Sequence, residues 1–159
     1  VMVLSVIVCS IIVVLTTVVP MLSGPADHPT TLSLTGSAPR EANLDRQVSV
    51  SLEVSNENTG YSSDYRIRLD ESVFDHFKVE YIFPIPSRPV MIQNKARYYY
   101  FGGLSAKRKS RLRFHLRGVR AGKGVFEATL YSMEGVINGS FRQEIAVRKG
   151  DGRRSRQGQ

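Results

Sequence analysis

The sequence has no tryptophan, one cysteine, and no charged residue before Asp27. Each absence excludes something. With Cys9 alone, and that inside an apolar run, no disulfide can form within the chain, so the fold must rest on its core. A lone thiol suits an oxidising or a reducing compartment equally, so cysteine usage does not place the protein. The catalytic signatures are missing as well. There is no His-x-x-x-His, no Gly-x-Ser-x-Gly and no glycine loop of the phosphate-cradling kind. His28, His76 and His115 are scattered. These absences argue against an enzyme, and no cofactor is expected.

The chain has 159 residues and a formal net charge of +8, all of it carried after the uncharged opening. That length suits one ordinary domain with an appendage. Residues 1–22, VMVLSVIVCSIIVVLTTVVPML, predict a single transmembrane helix. About 20 apolar residues at helical rise cross a hydrocarbon core of about 30 Å. Pro20 falls where such a helix would bend or end. A cleaved signal peptide is the competing reading, since Gly24-Pro25-Ala26 offers small residues for cleavage. No excess of Lys or Arg follows the run closely, which favours an extracytoplasmic C-terminal domain on a single-pass membrane protein.

Residues 23–29 form a polar linker with two prolines, and the pattern then changes to a period of two. Residues 47–55, QVSVSLEVS, place Val48, Val50, Leu52 and Val54 on one face. Further strands are expected around 65–70, 77–83, 97–101, 109–117, 125–133 and 136–147. The last is interrupted by Asn138-Gly139, a favoured hairpin pair. Pro84, Pro86 and Pro89 exclude a central strand and predict an extended loop. The expected fold is all-β: an immunoglobulin-like antiparallel β-sandwich of about seven strands over 30–148, preceded by one transmembrane α-helix. Residues 149–159 read as a basic disordered tail.

VSVSLEVSNENTG (Val48 to Gly60) resembles the opening of bacterial immunoglobulin-like domains of the CARDB and fibronectin type III-like kind. There an alternating strand runs into an Asn-containing turn that ends in Gly. Gly118-Val119-Arg120-Ala121-Gly122, before another alternating strand, is similar to their penultimate hairpin. Without tryptophan, the Cys…Trp…Cys signature of antibody domains is absent. The resemblance implies adhesion, spacing or docking, and no catalytic residue to carry over.

Two groups of candidate binding residues stand out. Lys109, Arg111, Arg113, His115 and Arg117 alternate with inward apolar positions and share one outward face. The plain reading is a solvated strand that resists edge pairing. The functional reading is a surface for anionic lipid headgroups or an acidic partner subunit. Near an anionic leaflet each cation contributes on the order of 1 kcal/mol. Nucleic acid is not expected, because Phe114, the aromatic within the stripe, points inward. The second group is the run Tyr98, Tyr99, Tyr100 and Phe101, of which alternation exposes two to a partner or to the membrane interface and buries two. The proline loop reads first as a stiff crossover connection, with a pre-ordered segment presented to a partner as the alternative. Asp70, Glu71, Asp75 and His76 lack a recognised calcium-loop pattern. Together these features predict a membrane-anchored, non-catalytic interaction module. The expected role is an accessory or assembly subunit whose partners are the bilayer and integral-membrane subunits. The alternative is a free-standing cell-envelope adhesin or ligand-binding domain.

Overall fold

The computed structural model describes residues 32–150. They form ten strands and one short helix: β1 (Leu32–Ser37), β2 (Glu41–Asn43), β3 (Gln47–Asn56), β4 (Tyr65–Asp70), α1 (Glu71–Phe74), β5 (Phe77–Phe83), β6 (Met91–Gln93), β7 (Ala96–Phe101), β8 (Lys109–Gly118), β9 (Gly122–Ser132) and β10 (Ile137–Arg148). One sheet has the order β1-β3-β8-β5, the other β2-β10-β9-β4-β7-β6.

The two-residue period drives this arrangement. Val48, Val50, Leu52 and Val54 of β3 face inward, as do Leu112, Phe114 and Leu116 of β8. The opposite sheet answers with Ile67 and Leu69 of β4, Phe126, Ala128 and Leu130 of β9, and Ile145 of β10. Phe114 joins the layers. Its ring meets Tyr99 at 5.7 Å and Phe126 at 5.9 Å between centroids, both edge-on. Edge-to-face packing at this separation suits the positive ring edge and negative ring face.

Three expectations are corrected. The strand count is ten, because β1, β2 and β6 were not foreseen. The sandwich is not wholly antiparallel, since β2 pairs with β10 in parallel, with Glu41, Ala42 and Asn43 opposite Ala146, Val147 and Arg148. The fold class itself also changes. Among the described residues no helix is long and apolar enough to cross a membrane, and the described fold is an all-β sandwich carrying only the short helix α1. The expected span, Val1 to Leu22, lies outside the described residues, as do the linker at 23–29 and the tail from 151.

The Asn138-Gly139 pair is not the hairpin turn. The chain reverses earlier, where Gly135 takes a positive φ of 85° and its amide bonds the Ser132 carbonyl at 3.1 Å. Gly139 lies within β10 at a register irregularity and passes so close to β1 that a Cβ there would meet Leu34 Cβ at 3.3 Å. Gly36 likewise lies against Phe141. Residues of β1 and β2 thus accompany β10 at one constant offset in residue number, first packed against it from the other sheet and then hydrogen-bonded beside it.

Candidate functional site

Pairing places the basic stripe at the centre of the four-stranded sheet. Gln47, Ser49, Ser51 and Glu53 of β3 lie opposite Arg117, His115, Arg113 and Arg111 of β8. On the other side of β8, Lys78, Tyr81 and Phe83 of β5 lie opposite Arg117, His115 and Arg113. Each row therefore crosses three strands on the solvent face, with directly opposed side chains within contact reach.

A bulge in β5 shapes this face. Val79 pairs with Leu116 and Tyr81 with His115, so Glu80 is the extra residue. The insertion reverses the strand's parity. Before it, Phe77 is buried; after it, Ile82 is buried while Tyr81 and Phe83 point outward. The bulge thus brings Tyr81 onto His115, ring on ring, at 4.0 Å between centroids. Gln47 Nε2 donates to the Tyr81 hydroxyl at 3.0 Å and meets His115 Nδ1 at 2.7 Å, and the Ser49 hydroxyl meets the same nitrogen at 3.0 Å. His115 is thus held by three neighbours.

The cations differ in their pairing. Glu53 accepts from Lys109 Nζ at 2.8 Å and faces Arg111 at 3.5 Å. Arg117 Nε donates to Glu80 at 2.6 Å. The hydrogen bond from Lys109, reinforced by Arg111, holds the Glu53 carboxyl below the ordinary carboxylate range, and the same bond raises the Lys109 ammonium. A depressed carboxyl contributes to stability above its unfolded-state value and loses that contribution as pH falls through its folded-state value. Glu53 should therefore titrate below a free glutamate in a carboxyl-detected NMR titration, and Lys109→Ala should return its midpoint toward the free value. An unchanged midpoint in that variant would show that the pair does not form in solution.

The tyrosine run divides differently from the expected two and two. Tyr99 and Phe101 lie in the core, Tyr99 only 3% exposed, so Tyr99 is closed to a partner. Tyr100 is also buried, at 5%, because the proline loop covers it. The Ser87 amide donates to the Tyr100 carbonyl at 2.8 Å, Arg88 lies over the Tyr100 ring, and Arg88 also reaches Asp64 at 3.3 Å. Tyr98 alone of the three stays half-open, on the outer face of the six-stranded sheet. There the Arg66 guanidinium lies between the Tyr98 and Tyr131 rings, at 5.2 and 5.6 Å. The basic stripe and Tyr98 therefore sit on opposite faces of the sandwich and do not form one site.

Other candidates disperse. Asp70 is bound to Arg68 and Glu71 lies 3.9 Å from Lys95, while His76 Nδ1 meets the Arg120 carbonyl at 3.0 Å. Lys123 pairs with Glu144 on the six-stranded sheet at 3.2 Å. Parity alone could have placed Glu53 beside the stripe. The roles of Glu80, Tyr81 and Phe83 depend on the bulge, which no sequence pattern announces.

No protein-family model matches the chain, and no curated protein matches it. Solved structures do. The CARDB domain of a Pyrococcus furiosus protein, crystallised in complex with di-metal ions, aligns with a TM-score of 0.52 at 16% identity, over 76% of this chain and 90% of that one. The cohesin module of a Clostridium perfringens family 33 glycoside hydrolase aligns with a TM-score of 0.52 at 12% identity, over 76% and 98%. At such identities the likeness is one of fold. This chain has the immunoglobulin-like sandwich architecture shared with CARDB and cohesin modules.

Proposed function

We propose that the domain is a non-catalytic docking module that binds a protein partner through the outer face of the β1-β3-β8-β5 sheet. The observation that carries this reading is the composition of that face. Lys78, Lys109, Arg111, Arg113 and Arg117 outnumber Glu53 and Glu80, and the exposed rings of Tyr81 and Phe83 stand beside them. Cations next to aromatic side chains on a pre-formed sheet suit a partner surface that is acidic with apolar contacts. The fold is shared with a cohesin module, which supports a binding role without naming the partner.

Within this proposal the domain is an accessory or assembly subunit of a larger membrane complex, on its extracytoplasmic side. That setting rests on the sequence pattern ahead of Asp27 alone. The metal ions of the Pyrococcus domain have no counterpart in the proposal. Among the described residues no three His, Cys, Asp or Glu side chains stand together as a ligand set.

The test is purification of the full chain from its native cells in mild detergent, beside a Lys109→Glu/Arg117→Glu variant. The wild-type chain should co-elute with a defined set of subunits, less so as salt rises through the range where the screening length shortens to about 8 Å. The variant should elute without them. Co-elution indifferent to both charge reversal and salt removes this face from docking. Binding of the wild-type chain to vesicles of anionic lipid, with no co-eluting protein, assigns the face to headgroups instead.

A further inference from the structure

The cations of the stripe are not equivalent, and the difference locates a site. Lys109 and Arg111 share the Glu53 carboxylate, and Arg117 holds that of Glu80. Arg113 lies between them in the strand and has no ion-pair partner among the described residues. Its cross-strand neighbour on β3 is Ser51, and on β5 it is Phe83. Ser51 in turn lies opposite Ser37 of β1. The row thus reads hydroxyl, hydroxyl, guanidinium, phenyl, where the flanking cations have a carboxylate.

Space is present at the same place. A groove of about 320 Å³ is lined by Thr35, Ser37, Ser51, Glu53, Arg111 and Arg113. That volume lies at the small end of the range for ligand sites, about 300–1,000 Å³. It suits one side chain more than a cofactor. A guanidinium presents its donors in a planar fork that matches a carboxylate, and the serine hydroxyls can rotate to donate to the same oxygens.

We infer that Arg113, with Ser37 and Ser51, receives an Asp or Glu carboxylate from an acidic polypeptide partner, whose neighbouring apolar side chain rests on Phe83. The partner's acid supplies what Glu53 and Glu80 supply to the flanking cations. Phe83 is 64% exposed, an unusual position for a phenyl ring on a charged sheet face, and contact with a partner would cover it. Glu53 at the groove's edge disfavours a doubly charged phosphate more than a singly charged carboxylate. A second copy of this chain is a poor occupant, because a net charge of +8 repels its like.

This inference rests on the docking face proposed above and specifies what that face recognises. The probe is a fluorescein-labelled, N-acetylated peptide alternating Glu and Leu, titrated with the full chain and followed by fluorescence polarisation. Arg113→Ala should weaken binding roughly tenfold, the range of a charge-assisted hydrogen-bonded pair. Arg113→Lys, which keeps the charge and loses the fork, should fall between the two. Arg142→Ala, on the other sheet and paired with Glu127 at 3.5 Å, should change nothing. The same peptide with Gln for Glu should not bind.

Equal affinity of the Arg113→Ala and Arg142→Ala variants overturns the inference, as does absence of wild-type binding at about 1 mM peptide. Displacement of the peptide by inorganic phosphate at lower concentration than by acetate overturns the carboxylate assignment. The two proposals fail separately. If Lys109→Glu/Arg117→Glu abolishes co-elution with partner subunits while Arg113→Ala leaves peptide affinity intact, docking stands and the Arg113 site falls. If charge reversal leaves co-elution intact, the docking face itself falls.

Discussion

Replacing Phe114 by alanine should cost about 3–5 kcal/mol of folding stability, the usual range for deleting a buried phenyl ring. Phe114 is fully buried in the central strand β8, opposite Val50 on one side and Ile82 on the other. Its ring touches Tyr99 of β7 and Phe126 of β9, both in the facing sheet. Removing it therefore opens a cavity between the layers and breaks two edge-to-face contacts. A domain of this size has only about 5–15 kcal/mol to lose. Urea unfolding should show a lower midpoint with an unchanged slope. Arg113 is its neighbour by one residue and faces water, so Arg113→Ala should stay within about 0.5 kcal/mol of wild type. A loss of less than about 1.5 kcal/mol at Phe114 would mean that its site collapses freely, which this packing does not allow.

The second large effect is expected at a polar residue. Asn56 is 1% exposed at the end of β3. Its Nδ2 donates toward the carbonyls of Gly60 at 2.8 Å, Leu104 at 3.0 Å and Ser105 at 3.2 Å, and its Oδ1 accepts the Asn58 amide at 3.1 Å. One side chain thus satisfies two loops, residues 57–64 and residues 102–108. The loops also bind each other directly. The Ser62 amide donates to the Leu104 carbonyl at 2.8 Å, and the Leu104 amide donates to the Ser62 hydroxyl at 2.7 Å. Asn56→Ala takes the donor from the Gly60 carbonyl and the acceptor from the Asn58 amide, while the Leu104 and Ser105 carbonyls keep the amides of Ser62 and Arg108. Each group stranded costs about 1–3 kcal/mol. We expect a total loss of about 2–4 kcal/mol, with faster amide hydrogen exchange at Asn58 and Ser62. Asn56→Asp should be no better at neutral pH, since a carboxylate offers those carbonyls no proton. Unchanged exchange at both amides in the alanine variant would show that the loops hold without the asparagine.

The sequence made the layers legible, and for one reason. Burial on one face forces a period of two, and β3, β4, β8 and β9 obey it almost without exception. Elements that bury little leave no such mark. Strand β6 has no buried residue, and β2 buries only Ala42, so neither could be seen in the pattern. Asn138-Gly139 carried the chemistry of a tight turn, but close approach to Leu34 uses the same glycine for another purpose. The basic stripe was legible as a face because β8 is regular. Its partners on β5 were not, because one inserted glutamate shifts Tyr81 and Phe83 to the outside. In the tyrosine run, alternation predicted two buried rings and two exposed ones without assigning them, and three of the four are buried. It could not foresee that a loop anchored by Ser87 would cover Tyr100, since that cover is tertiary and leaves no periodic trace.

The course of β1 and β2 beside β10 bears on what happens when the domain is pulled. The chain enters along β1 near Asn56 and leaves along β10 at Arg148, beside Asn43, so entry and exit lie at opposite ends of the sandwich. Tension applied through those two points runs along the strands. The hydrogen bonds between β2 and β10 lie across it and are loaded together, in shear, instead of one after another as in a peeled hairpin. An extended strand of twelve residues spans about 40 Å at 3.4 Å per residue, so the two loaded points lie roughly that far apart.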